Sequence, residues 1–179
     1  MDAVNNAPNE IGMFIFSDHG MSPVSQSVDM RKIIAKFNLR VGTDYLYFLD
    51  STMARFWAFS KKSLKRIKQV LRMQRFGKLL DNHDKTHLKC NNLDVEHGNL
   101  IFSINEGFTI HPDFFRLTRA PRGMHGYAFP RFSSPILVTN LKLNNTESIT
   151  HHVNLMPTIL EYLNLPIPSS CQGQSLGIN

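Results

Sequence analysis

The sequence predicts an α/β fold, a mostly parallel central sheet flanked by helices. Short apolar runs alternate with helix-period segments along the chain. The run "IGMFIFS" (11–17) is continuously apolar before its last residue, as in a strand buried on both faces of a parallel sheet. An acid and a histidine, Asp18 and His19, follow it directly and are succeeded by Gly20. A strand end opening into a glycine-containing turn is where α/β proteins place their chemistry.

The elements follow in order. "SVDMRKIIAKFNL" (27–39) carries apolar residues at Val28, Ile33, Ile34 and Phe37, which predicts a helix starting at Ser27. "DYLYFLD" and "ARFWAFS" (44–50 and 54–60) are aromatic-rich and predict two strands, a hairpin across "STM". The segment 61–80 places Leu64, Ile67 and Leu71 on one helical face with cations around them. "NLIFSI" (99–104) and "FTIHP" (108–112) read as strands around the turn Asn105-Glu106-Gly107. "PILVTN" (135–140) reads as another buried strand. A last helix is expected within 154–164, with Asn154 as cap, Pro157 in the first turn, and Pro166 and Pro168 stopping it.

Composition sets bounds. At 179 residues and 42% hydrophobic content the chain can bury a real core as one domain, or a portion of one. No apolar run reaches the roughly 20 residues of a membrane span, and no secretory leader is visible. Cys90 and Cys171 form no C-x-x-C motif and read as separate thiols. Asn144-Asn145-Thr146 is a formal glycosylation sequon, a pattern short enough to arise by chance. The net charge of +6 is local: residues 51–80 carry nine of the 20 basic side chains and no acid, leaving 11 basic and 14 acidic elsewhere.

Three clusters could carry chemistry: Ser17-Asp18-His19-Gly20-Met21, His125 between Gly123 and Gly126, and the pair His151-His152. Oxygen and nitrogen donors on consecutive residues suit zinc or a similar ion if the backbone turns at Gly20. A turn-capping Asp18 and a surface His19 are the plainer alternative. For His125 the plainer alternative is a turn histidine, and His151-His152 could simply cap or pack the last helix.

Taken together and in order, "FIFSDHGM", then "GMHGY" about a hundred residues on, then "VNLMPTILEYLNLPIP" resemble the type I phosphodiesterase/nucleotide pyrophosphatase family of the alkaline phosphatase superfamily. "DSTMARFW" is also similar to family members, with no physical role evident from the sequence. The resemblance implies a two-zinc site. Asp18 and His19 match the pair that binds the metal beside the nucleophile, and His125 matches a histidine on the second metal. It also implies in-line displacement at phosphorus by a Thr or Ser alkoxide, through a covalent enzyme intermediate. Here only 17 residues precede Asp18, so the family's early Asp, its Thr or Ser nucleophile and its Asp-x-x-x-His have no counterpart. Ala128 stands where the family usually has Asp. The chain therefore reads as the C-terminal portion of such a catalytic domain, inactive or nearly so by itself.

Substitute ligands within the chain are His83 and His87, spaced i, i+4 in "DNHDKTH", and Asp94 with His97 in "DVEHG". Their polar surroundings, and those of His111, favour solvated or structural roles. The expected substrate is a phosphate ester or nucleotide. The alternative function is a non-catalytic polyanion- or nucleic-acid-binding module using a basic helix over 61–78, with Phe56, Trp57 and Phe59 upstream for stacking. Against it stands the reading of that helix as a solvated cationic cover over the core, or as an attractor of anionic substrates.

Overall fold

A computed structural model describes residues 11–90, 95–131, 134–144 and 151–178. The chain divides into two compact units. One is formed by the segment ending at Asp18 together with residues from Pro135 onward, and the other by His19–Ser134. Asn145 and Thr146 of the sequon, and Asp94, lie outside the described residues.

The larger unit is built on a four-stranded sheet in the order β4-β5-β7-β6. Its strands are β4 (Tyr45–Leu49), β5 (Met53–Ala58), β6 (Gly77–Leu79) and β7 (Leu100–Ile104). The aromatic runs form the expected hairpin, with Tyr45 opposite Ala58 and Leu49 opposite Ala54. Every pairing in this sheet is antiparallel. The expected mostly parallel sheet is met only by β3 (Gln26–Val28) beside β8 (Phe108–Ile110) among the described residues. The connections explain this. Tight links such as 50–52 return a strand alongside its predecessor, whereas a parallel pair needs a long crossover.

The helix expected from Ser27 starts later. Val28 is the last residue of β3, Asp29 caps the helix by accepting from the Arg31 amide, and α1 runs Met30–Ile34 before a 3-10 turn over Ala35–Phe37. The basic helix α2 covers Lys61–Arg72, not 61–78. The apolar periodicity ends at Leu71, and Lys78 lies in β6 opposite Ser103 of β7. Gly77 permits that pairing, since a Cβ there would sit 2.4 Å from the Ser103 carbonyl oxygen. The Ser60 hydroxyl accepts from the Ser63 amide at the start of α2 (3.1 Å). Ile67, Val70 and Leu71 are buried, so one face of α2 closes the core. Phe37, Tyr45, Phe56 and Phe102 fill its centre, with Phe37 edge-on to Tyr45 and to Phe56 at 5.6 Å.

A short helix, α3 (Asn82–His87), follows β6. Asp81 and Asp84 form its capping box, and the Lys78 ammonium donates to buried Asp84 at 2.5 Å. The hydrogen bond from Lys78 holds the Asp84 carboxyl below its ordinary value of 3.8, against the opposing effect of burial. A depressed folded pKa stabilises above the unfolded value, and that stability is lost as pH falls through the folded one. Urea unfolding from pH 6 to pH 2 should therefore show stability falling below about pH 4. Lys78→Met should flatten that limb, leaving the share of Asp29, whose carboxyl is lowered by Arg31. An unchanged limb would refute the assignment.

In the smaller unit, β1 (Phe14–Phe16) pairs antiparallel with β10 (Leu137–Thr139). Neither is the buried strand expected for 11–17 and 135–140. Ile15 and Phe16 are about half exposed, as are Ile136 and Val138. Two strands alone have no second layer to cover them. The last helix, α4, spans Leu155–Tyr162 with Pro157 in its first turn, as expected. Asn154 stands at its N-cap position, as expected, but its side chain makes no capping hydrogen bond. Its side-chain oxygen accepts from the Gln174 amide instead (3.1 Å), and the His152 ring packs edge-on against Phe16. Among the described residues no helix is long and apolar enough to cross a membrane. Cys90 and Cys171 are free, half-buried thiols.

Candidate functional site

A two-residue ladder joins the remote motifs. In β2 (Ser22–Pro23) and β9 (Gly123–Met124), Ser22 pairs with Met124 and Pro23 with Gly123, antiparallel. The Val24 amide extends the pairing to the Arg122 carbonyl (2.8 Å). A Cβ on Gly123 would come within 3.1 Å of the Met21 side chain, so glycine lets the two segments close. Carried past Ser22, the register brings the turn containing His19 alongside the turn containing His125.

The two imidazoles stack. Their ring centroids are 3.6 Å apart and their planes differ by 6°. His19 Nδ1 lies 2.8 Å from its neighbour's carbonyl, Gly20 O. A carbonyl only accepts, so Nδ1 carries the proton in this contact. That arrangement suits a metal ligand, because a backbone acceptor on the far nitrogen is how ligating histidines are oriented. His125 is exposed, and Asp18, the residue before His19 and the last of its own unit's first segment, is exposed as well.

The His125 turn is held by residues whose role the sequence did not disclose. Gly126 has φ +82°, a conformation glycine adopts without strain. Its carbonyl accepts from the Thr52 hydroxyl (2.9 Å). The Tyr127 hydroxyl donates to the Phe108 carbonyl (2.7 Å) and its ring is buried. Ser51, next to Thr52, donates to buried Asp113 at 2.7 Å, and its own carbonyl accepts from the Ile110 amide. "DSTMARFW" thus has a physical role: its first residues tie the hairpin to the histidine turn. The short polar string between two aromatic strands was the available signal.

The substitute ligands behave differently. Ligand atoms of Asp81, His83 and Asp84 lie within 4.8 Å of one another, while His87 stacks on Phe129 at 6.2 Å. Asp84 already serves Lys78 and the helix cap, so that cluster is built first as an α3 terminus. His97 closes a 3-10 turn, and His111 donates its backbone amide to the Val28 carbonyl.

Several solved structures share this fold. Human ectonucleotide pyrophosphatase/phosphodiesterase 5 is one of them, with TM-score 0.66 and 17% identity over 93% of this chain and 45% of that one. The murine counterpart, an inactive form in complex with AMP, gives TM-score 0.63 at 18% identity over 92% and 44%. Phosphonoacetate hydrolase from Sinorhizobium meliloti, in complex with phosphonoacetate, gives 0.54 at 12% over 79% and 38%. The chain therefore spans less than half the length of each. At these identities the likeness is one of fold. No family model matches the chain, and no curated protein matches it in sequence.

Proposed function

We propose that the chain is part of a metal-dependent phosphoester hydrolase of the phosphodiesterase/nucleotide pyrophosphatase kind, contributing Asp18, His19 and His125 as zinc ligands. The observation that carries this is the stacked pair His19–His125, two imidazoles 106 positions apart held in register by one short ladder. The Nδ1 contact of His19 with the Gly20 carbonyl fits the role, since a backbone acceptor on one ring nitrogen is how ligating histidines are oriented. The shared fold supports it, as do the AMP and phosphonoacetate held by two of the neighbours.

Bound zinc would supply Lewis acidity toward a phosphoryl oxygen, two ions being expected in the complete enzyme. The chain's own residues do the positioning. Gly20 and Gly126 shape the turns, Thr52 and Tyr127 fix the second turn, and Asp18 adds the one negative charge among the three proposed ligands. The Thr or Ser nucleophile would belong to a segment outside this sequence, and the whole chain would form one portion of the catalytic domain. The substrate expected is a phosphate ester or nucleotide.

Zinc titration followed by imidazole nitrogen resonances tests the assignment. His19 and His125 should move together at the lowest zinc, and AMP added to the zinc-loaded protein should move both again. Movement of His83 alone would place the ion at the Asp81–Asp84 cluster and overturn the proposal, as would no movement at all.

A further inference from the structure

Helix α2 carries a row of cations, none of which is a proposed metal ligand. Lys61, Lys65, Lys68 and Arg72 stand at i, i+4, i+7 and i+11. On a helix of 3.6 residues per turn they fall within about 60° of one another and extend over about 16 Å. Lys61, Lys65 and Arg72 are exposed and Lys68 is half-buried. A shallow groove of about 710 Å³ runs along them, with Leu64 and Gln69 between. Neither ion pair between described residues, Arg31–Asp29 or Lys78–Asp84, involves the helix. Residues 51–80 contain no acid at all. Arg66 is not part of the row. Its guanidinium donates to the Phe37 and Lys36 carbonyls and ties α2 to the 3-10 turn.

We infer that this row is a docking surface for the phosphate backbone of duplex nucleic acid, bound without sequence preference. The shape of the patch selects the partner. A membrane-surface helix inserts its apolar face, but here Ile67, Val70 and Leu71 are committed to the core. What remains is a straight, rigid line of charge. A duplex offers one negative charge per about 1.7 Å of its axis and gains by releasing counterions to such a line. Single-strand recognition would need stacking platforms. Of the three rings just upstream, Phe56 is fully buried, Trp57 half-buried and only Phe59 exposed. Phosphate contacts of this sort position a protein but read no bases.

The test is fluorescence anisotropy of the full chain with two labelled 20-base-pair DNA duplexes of unrelated sequence, between about 50 and 200 mM NaCl. Four phosphate contacts predict a slope of log K against log salt of about −3.6, equal for both duplexes. K61Q/K65Q/K68Q/R72Q should weaken binding at 50 mM salt by at least about tenfold and bring the slope near zero. K61Q/K65Q, the milder variant should the quadruple one fail to fold, should remove about half the slope. K32Q/K85Q/R119Q/K142Q removes the same charge elsewhere and should stay within about twofold of the parent. Equal losses from row and control variants would reduce the effect to net charge. Unchanged binding by the row variants would also overturn the inference. So would tighter binding to phosphatidylserine vesicles than to either duplex.

Discussion

Phe102→Ala will cost the larger unit about 3–5 kcal/mol, the range for removing a large aromatic side chain from a packed interior. Phe102 is fully buried in β7, the strand paired on both sides, by β5 and by β6. Its ring meets Phe76 edge-on at 5.7 Å. A Cβ on Gly77 would fall 2.7 Å from the same ring, so the backbone of β6 lies directly on it. Neighbours this close cannot collapse into the space that alanine leaves. Since domains are typically stable by about 5–15 kcal/mol, the loss is a large share of the total. Leu117→Ala, at a side chain 75% exposed, should change stability by less than about 0.5 kcal/mol. Urea denaturation of both variants checks this. A loss under about 1 kcal/mol for Phe102→Ala would mean the core is not packed as described.

Tyr127 gives the second large effect, and it links stability to the site. Tyr127→Ala removes a buried ring and its hydroxyl together and should cost about 3–5 kcal/mol. Tyr127→Phe keeps the ring and removes only the bond to the Phe108 carbonyl, for about 1–3 kcal/mol. The pair of variants separates packing from hydrogen bonding. A pH signature accompanies them. Burial first, and then the charge of Glu106, raise the Tyr127 phenol above its ordinary 10.0. A raised folded pKa stabilises fully below the unfolded value. Above about pH 10 the unfolded chain gives up the proton first, and stability falls as pH rises through the folded pKa. Tyr127→Phe should remove its part of that alkaline fall and leave the part due to Tyr45, also raised by burial. Because the ring anchors the turn that presents His125, the alanine variant should also weaken the proposed zinc binding, by about 10- to 100-fold, the cost of losing a group that orients a ligand. An alkaline limb identical in parent and Tyr127→Phe would sink the linkage argument.

Periodicity made the aromatic hairpin, the strands around Asn105-Glu106-Gly107 and the apolar face of α2 legible. Each is a local pattern matched to a local geometry. Lys78 reads as helical from the sequence because a cation continues a basic pattern equally well in a strand. Only the pairing with Ser103, made possible by Gly77, decides between them. Val28 has an apolar character that fits a helix as well as a strand. Its place is set instead by Ile110, a residue 82 positions away that no local pattern reports.

The residue types at the two histidine turns, the glycines that release the backbone there, and the single sign of the charge over residues 51–80 are all written along the chain. That His19 and His125 meet ring to ring, that Thr52 and Tyr127 hold one of them there, and that β1 and β10 pair antiparallel come from contacts remote along the chain. The reason is physical. Propensity, capping and charge are properties of neighbours along the chain, whereas register and ring contact depend on long-range ladders whose partners local pattern cannot choose.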